Sequence, residues 1–336
     1  SSSPAPALPK LKTAKLVRLG FFANLTHAPA LVAIQRQLFE KYLKQDGTKI
    51  EYTAFNAGPT AIEAMKGNAI DATFIGPNPS ISGFASTEGS LLKIVAGATS
   101  GGAQLVVKQS INSIADLKGK TIATPQLGNT QDVAARAYFA SKGLTTSISG
   151  AGDVLIQPTE NSQTLTLFKQ GTIDGAWLPE PWASRLVTEA NAKVLLDEKR
   201  LWKNGKFVTT QLISNSTYLK QYPGTVRSLI RATIDAINWA KKNEARAKNV
   251  VQAQLLKWTS KNLSDAAINR AWGNLRFTWD PIATSLRKSA NNAVKVGLLT
   301  NLGANGLSGI YDLRLLNAVL KFNGKQSVTS DGLGKQ

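Results

Sequence analysis

The chain has 336 residues, more than one ordinary compact domain needs, and 43% of them are apolar, enough for a core in each of two lobes. It has no cysteine, which excludes disulfides, a thiolate nucleophile and zinc–thiolate sites, and no apolar run approaches the roughly 20 residues that span a bilayer. Lys and Arg number 40 against 21 acids, a net charge of +19, but the cations are dispersed, and the densest stretches (10–15 and 241–248) interleave with apolar or acidic residues, so no nucleic-acid surface is expected.

The small, polar, Pro-rich start at Ser1–Ala7 reads as a flexible tether over residues 1–13, with export expected and a lipid anchor ahead of it. Residues 15–22 alternate and then turn apolar, as a buried strand does. After a loop at 23–28, Pro29 opens an amphipathic helix with Leu31, Ile34, Leu38 and Tyr42 on one stripe, ended by Gly47. Residues 49–55 read as a strand. Thr60 and Glu63 form a capping-box pattern for a short helix stopped by Gly67-Asn68, and Ile70–Ile75 is a further buried strand. Strand and helix alternate as in a parallel α/β lobe.

The same order restarts in the second hundred residues. Strands are predicted at 120–123, 154–157 and 173–178, with helices from Asn129 or Thr130 and over 162–169. Lys66–Ile75 aligns with Lys169–Leu178, both running into Pro-containing loops, and Asn24-Leu25-Thr26 has a counterpart in Gly128-Asn129-Thr130. Two units are too few for a solenoid and instead predict two similar lobes. The chain is expected to cross between them near 104–107 and to return near 209–213, which places lobe one at 14–103 and 212–336, and lobe two at 104–211. The return is followed by mostly helical sequence.

In open α/β sheets a ligand sits beyond the carboxyl ends of the strands, where loops feed helix N-termini that favour anions. Asn24, Thr26, Gln126, Asn129 and Thr130 are candidate donors there, or plain helix caps. Asn78 in a Gly-Pro-Asn-Pro turn and Trp182 in Pro-Glu-Pro-Trp are candidates for the sides of the site, with Trp182 a flat apolar wall or a core residue. Glu180 either accepts from a ligand amine or hydroxyl or holds a hinge partner. Thr99 and Ser100 precede Gly101-Gly102, where the backbone can approach closely. His27 is the only histidine, with no acid before Glu40 downstream and no Gly-x-Ser-x-Gly elbow, so neither a metal site nor catalysis is expected. No cofactor is expected.

Several stretches carry a family resemblance: Asn24–Leu31, Asp71–Pro79, Asp116–Ala123, Gln126–Thr130, Asp174–Ser184, 277–281 and 307–313. Together they make the chain similar to the sulfonate/nitrate/taurine group of ABC-importer substrate-binding proteins, over nearly all of its length beyond the tether. The resemblance implies a type II periplasmic-binding-protein fold, two α/β lobes on a two-segment hinge that close on a ligand and present the closed form to permease subunits. It implies a periplasmic or cell-surface monomer, a small oxyanion such as an aliphatic sulfonate as ligand, and a pocket centred on Asn24, Thr26, His27, Asn129 and Thr130. Related proteins take aromatic or heterocyclic compounds, so that ligand class and a sensor role without transport stand as alternatives.

Overall fold

The computed structural model describes residues 7–300, 302 and 305–336. Its first run is β1 (Leu16–Phe22), α1 (Ala28–Gln35), α2 (Leu38–Leu43), β2 (Lys49–Phe55), α3 (Gly58–Lys66), β3 (Ala72–Ile75), α4 (Pro77–Ser86) and β4 (Leu92–Gly101). The second is β5 (Ala103–Val107), β6 (Thr121–Thr124), α5 (Thr130–Ser141), β7 (Leu155–Pro158), α6 (Asn161–Lys169), β8 (Gly175–Pro179), α7 (Trp182–Ala190) and β9 (Lys193–Asp197). The chain returns through β10 (Val208–Asn215), α8 (Ser216–Gln221), α9 (Pro223–Lys242), α10 (Glu244–Thr259), α11 (Asp265–Gly273) and β11 (Leu275–Phe277). It ends with α12 (Leu286–Lys295), β12 (Tyr311–Asp312), α13 (Arg314–Phe322) and β13 (Gly334–Lys335).

These strands form two sheets. The first has eight strands, in the order β13-β12-β4-β10-β3-β1-β2 with β11 on β4, and the second has five, β7-β6-β8-β5-β9. Each contains a parallel trio, β2-β1-β3 or β7-β6-β8. Beside each trio runs an antiparallel strand that arrives from the other lobe, β10 or β5. The repeated Ile-Asp pair has the same task in both. Asp71 accepts the Arg18 N–H at the start of β1 at 2.8 Å, and Asp174 accepts the Thr121 N–H at the start of β6 at 2.8 Å. In the second sheet, successive residues of β5 serve opposite faces: Leu105 and Val107 join one buried cluster and Val106 the other.

Four expectations are corrected. The apolar stripe over 29–47 is not one helix, because Gln37 turns left-handed (φ 56°) between α1 and α2, and each piece then packs on α9. Helix α3 starts at Gly58, two residues before Thr60, and has no side-chain cap, since Pro59 supplies the start instead. The crossings lie at Gly101-Gly102 and at Lys206-Phe207, and 209–213 lie wholly inside β10 of the first sheet. Residues 8–14 are held rather than loose. Leu8 packs on the first core, the carbonyls of Pro9 and Lys12 accept from Arg227 and Gly224, and the Ala14 N–H donates to Thr225 Oγ1. Residues 1–6 of the expected tether lie outside the described residues.

Candidate functional site

The carboxyl ends of the two parallel trios face each other across the crossing. All six strand-to-helix loops contribute to a cavity of about 30 Å³ between them. A water needs roughly 10–15 Å³ on this measure, so the cavity suits a compact polar group of a few heavy atoms. Lobe one contributes Asn24, Thr26 and His27, then Asn56 and Gly58, then Gly76; lobe two contributes Asn129, Thr130 and Gln131, then Asn161, then Pro179. Thr209 at the start of β10 also lines it. No carboxylate and no ammonium lines this cavity among the described residues.

His27 is neutral there. Full burial pushes its pKa down to about 3, its ring stacks on Phe22 at 4.3 Å, and its Nδ1 accepts the Phe22 N–H at 3.2 Å. The proton therefore sits on Nε2, which leaves one N–H donor. Asn129 caps α5: its Oδ1 accepts the Asp132 N–H at 2.9 Å and its Nδ2 donates to Gln131 Oε1 at 3.0 Å. The N–H groups of Thr130 and Gln131, the first two of α5, have no intrahelical carbonyl to reach. The Thr130 Oγ1 and Asn161 Oδ1 atoms are buried and have no hydrogen-bond partner. Asn24 Oδ1 accepts from Trp182 Nε1 at 3.0 Å, a bond that ties the lobes together at one side of the cavity and leaves the Asn24 NH2 as a donor.

Of the residues expected at the site, Asn24, Thr26, His27, Asn129 and Thr130 come together in this cavity, and Trp182 stands at its edge. The other five lie elsewhere. Asn78 is in the first turn of α4, not in an isolated turn, and its amide donates to the Ser289 carbonyl at 3.1 Å. Thr99 and Ser100 belong to the crossing, where Ser100 Oγ donates to the Phe207 carbonyl at 2.8 Å and the Thr99 carbonyl accepts from Thr209. Gln126 sits at the outer rim and accepts from Thr60 at 3.4 Å.

The Glu180 carboxylate is engaged by protein groups around the crossing, as the hinge alternative expects. It is fully buried and accepts from the Ser184 N–H at 2.8 Å, Ser184 Oγ at 2.6 Å and Asn274 Nδ2 at 2.9 Å, with Arg270 at 3.6 Å. Burial raises its pKa and these donors pull it back. Arg270 also reaches Gln104 Oε1 at 2.9 Å, so the cluster joins α11, β5 and α7. The Glu180 carbonyl accepts the N–H groups of Leu25 and Thr26 at 3.1 and 3.3 Å. The helix start after β1 is thus satisfied by protein, and the starts of α3, α5 and α6 remain at the cavity.

Asn56 and Asn161, from the second loop of each lobe, were not anticipated. The signal was in the repeat: Asn24 to Asn56 and Asn129 to Asn161 are equal intervals. Gln131 and Thr209 carried no such mark.

Comparison with known proteins gives a family match. Residues 11–255 match the NMT1-like family. The nitrate/nitrite binding protein NrtA of Nostoc sp. is 24% identical over 289 residues, 80% of this chain and 63% of that protein. The taurine-binding periplasmic protein of Escherichia coli K12 is 24% identical over 210 residues, 62% of each chain. The matches thus span just under two thirds of these relatives' lengths. The solved structure of the alkanesulfonate-binding protein SsuA from Xanthomonas axonopodis pv. citri bound to MOPS superposes with a TM-score of 0.71 at 20% identity, covering 85% of this chain and 95% of that one. The chain therefore has the periplasmic-binding-protein fold.

Proposed function

Because the chain belongs to the NMT1-like family, we propose that it is the extracytoplasmic solute-binding component of an ABC importer, closing on a small organic oxyanion such as an aliphatic sulfonate. It acts by binding alone, as an exported monomer that delivers the closed form to permease subunits. One observation supports this reading most: the inter-lobe cavity is lined by neutral donors with no carboxylate among them, and Thr130 Oγ1 and Asn161 are buried there unpartnered. Buried polar groups without partners are costly; a ligand oxygen would accept from the Thr130 hydroxyl, and from Asn161 once its amide is turned so that the NH2 takes the place of the orphaned Oδ1. Neutral donors and a helix start suit a singly charged oxyanion that must later be released. An amine would find no counter-charge.

Calorimetry with ethanesulfonate, nitrate, acetate and an amine control tests the reading. A hydrogen bond to a charged group contributes about 1.5–3 kcal/mol, so Thr130→Ala and Asn161→Ala should each weaken the best oxyanion roughly ten- to a hundredfold. If no oxyanion binds the parent, or if both variants bind as it does, the reading fails.

A further inference from the structure

A larger space adjoins the cavity, a groove of about 450 Å³ between the lobes. Asn24, Asn56 and Asn161 line both, so the two spaces meet at those side chains. The cavity is too small for more than the head of an organic anion, and this side offers a tail a way out lined by aromatic rings. Three aromatic rings line the groove: Phe55 at the end of β2, Trp182 on α7 and Trp258 on α10. Trp182 has Arg185 over one face at 5.0 Å, and Trp258 is fixed by its bond to Gln254 Oε1 at 2.9 Å.

The groove is also positively charged. Lys169 on α6 and Lys261 just beyond α10 line it from opposite lobes, and both are exposed. Neither makes an ion pair among the described residues, whereas Arg185 is paired with Glu189 at 2.7 Å. The Glu189 carboxyl is held below its usual range first by Arg185 and then by the fields of Lys169 and Lys261. The only carboxylate among the lining residues, Glu160, faces the Asn56 amide at 3.4 Å.

We propose that this groove binds the body of the cleft's ligand, and that the ligand is an aromatic dianion: an oxyanion head in the cavity, a ring against Trp182 and Trp258, and a second acidic group met by Lys169 and Lys261. This rests on the reading of the cavity as an oxyanion site. Rings stack on aromatic walls at little entropic cost, and two unpaired ammonium groups favour a distal carboxylate or sulfonate over a neutral end. Short alkyl monoanions use the cavity alone.

The test is calorimetry on the full chain with ethanesulfonate, benzenesulfonate and 4-sulfobenzoate. The expected order of affinity rises along that series, with 4-sulfobenzoate about tenfold tighter than benzenesulfonate. The double variant K169Q/K261Q, at exposed positions that do not threaten folding, should erase that tenfold step and leave benzenesulfonate within about twofold of the parent. Trp258→Ala should weaken both aromatic probes about tenfold and leave ethanesulfonate unchanged. If K169Q/K261Q leaves 4-sulfobenzoate unchanged while Thr130→Ala still weakens ethanesulfonate, the groove proposal is overturned and the cavity reading stands. If none of the three probes binds the parent, both fall.

Discussion

His27 in lobe one and Glu198 in lobe two are fully buried, and burial moves their pKa values in opposite directions. Glu198, in the turn after β9, accepts from Trp177 Nε1 at 2.9 Å and Trp202 Nε1 at 3.0 Å, and burial pushes its pKa up to about 7 against those bonds. His27 is pushed down to about 3. Between its unfolded value near 6.5 and about 3, the unfolded chain binds a proton at His27 that the folded chain refuses, so stability falls as pH falls. For Glu198 the folded chain keeps a proton that the unfolded chain loses above about 4.5, so stability falls as pH rises toward 7. Each slope is about 1.4 kcal/mol per pH unit at most, and between about pH 4.5 and 6.5 they oppose each other. Urea unfolding across that window should therefore separate the variants. Relative to the parent, His27→Gln should lose stability as pH rises, and Glu198→Gln should lose it as pH falls. Curves parallel to the parent's would show that the two groups titrate normally.

At the scale of elements, the joint between β4 and β5 is the most constrained. Gly101 and Gly102 both have positive φ, 78° and 80°, and a Cβ on Gly102 would stand 2.2 Å from Leu275 Cδ2. Gly102→Ala should cost about 1–2 kcal/mol from the left-handed backbone alone, more if Leu275 cannot move, read as a lower urea midpoint. The six strands of the two parallel trios were legible because buried parallel strands are short apolar runs and the Ile-Asp repeat marks the third of each trio; β4 and β9 were not. The break at Gln37 was not, since glutamine is no turn former and the bend is set by how α1 and α2 lie on α9. The start of α4 was legible and misread, because Pro77 at the first position of a helix is an opening signal, not a turn. Glu180 could not be assigned from its neighbours. Its partners Asn274 and Arg270 arrive on a segment about ninety residues later. Five of the eleven residues expected at the site lie outside the cavity and its edge for the same reason: which side of a loop faces the cleft depends on what packs behind it.

For the molecule as a whole, the closeness of the lobes depends on a residue with no side chain. Gly76 ends β3 in lobe one with an ordinary extended backbone (φ −75°), so alanine fits there conformationally. Its added Cβ would stand 2.3 Å from Thr130 Oγ1 in lobe two. Gly76→Ala should therefore leave each lobe intact and oppose only their approach. Small-angle scattering should show less contraction on ligand addition than in the parent, and unfolding of the protein alone should change little. A compact parent-like profile in the variant would mean that Thr130 swings aside at no cost. The apparent affinity of such a protein is its intrinsic affinity multiplied by the fraction that can close. A methyl group at position 76 lowers that fraction for every solute and also crowds the Thr130 hydroxyl, so all dissociation constants of a ligand panel should rise, most for the oxyanions that use that hydroxyl. The concentration at which the protein responds and the choice of what it responds to thus meet at one contact, where Gly76 of lobe one leaves room for the Thr130 hydroxyl of lobe two.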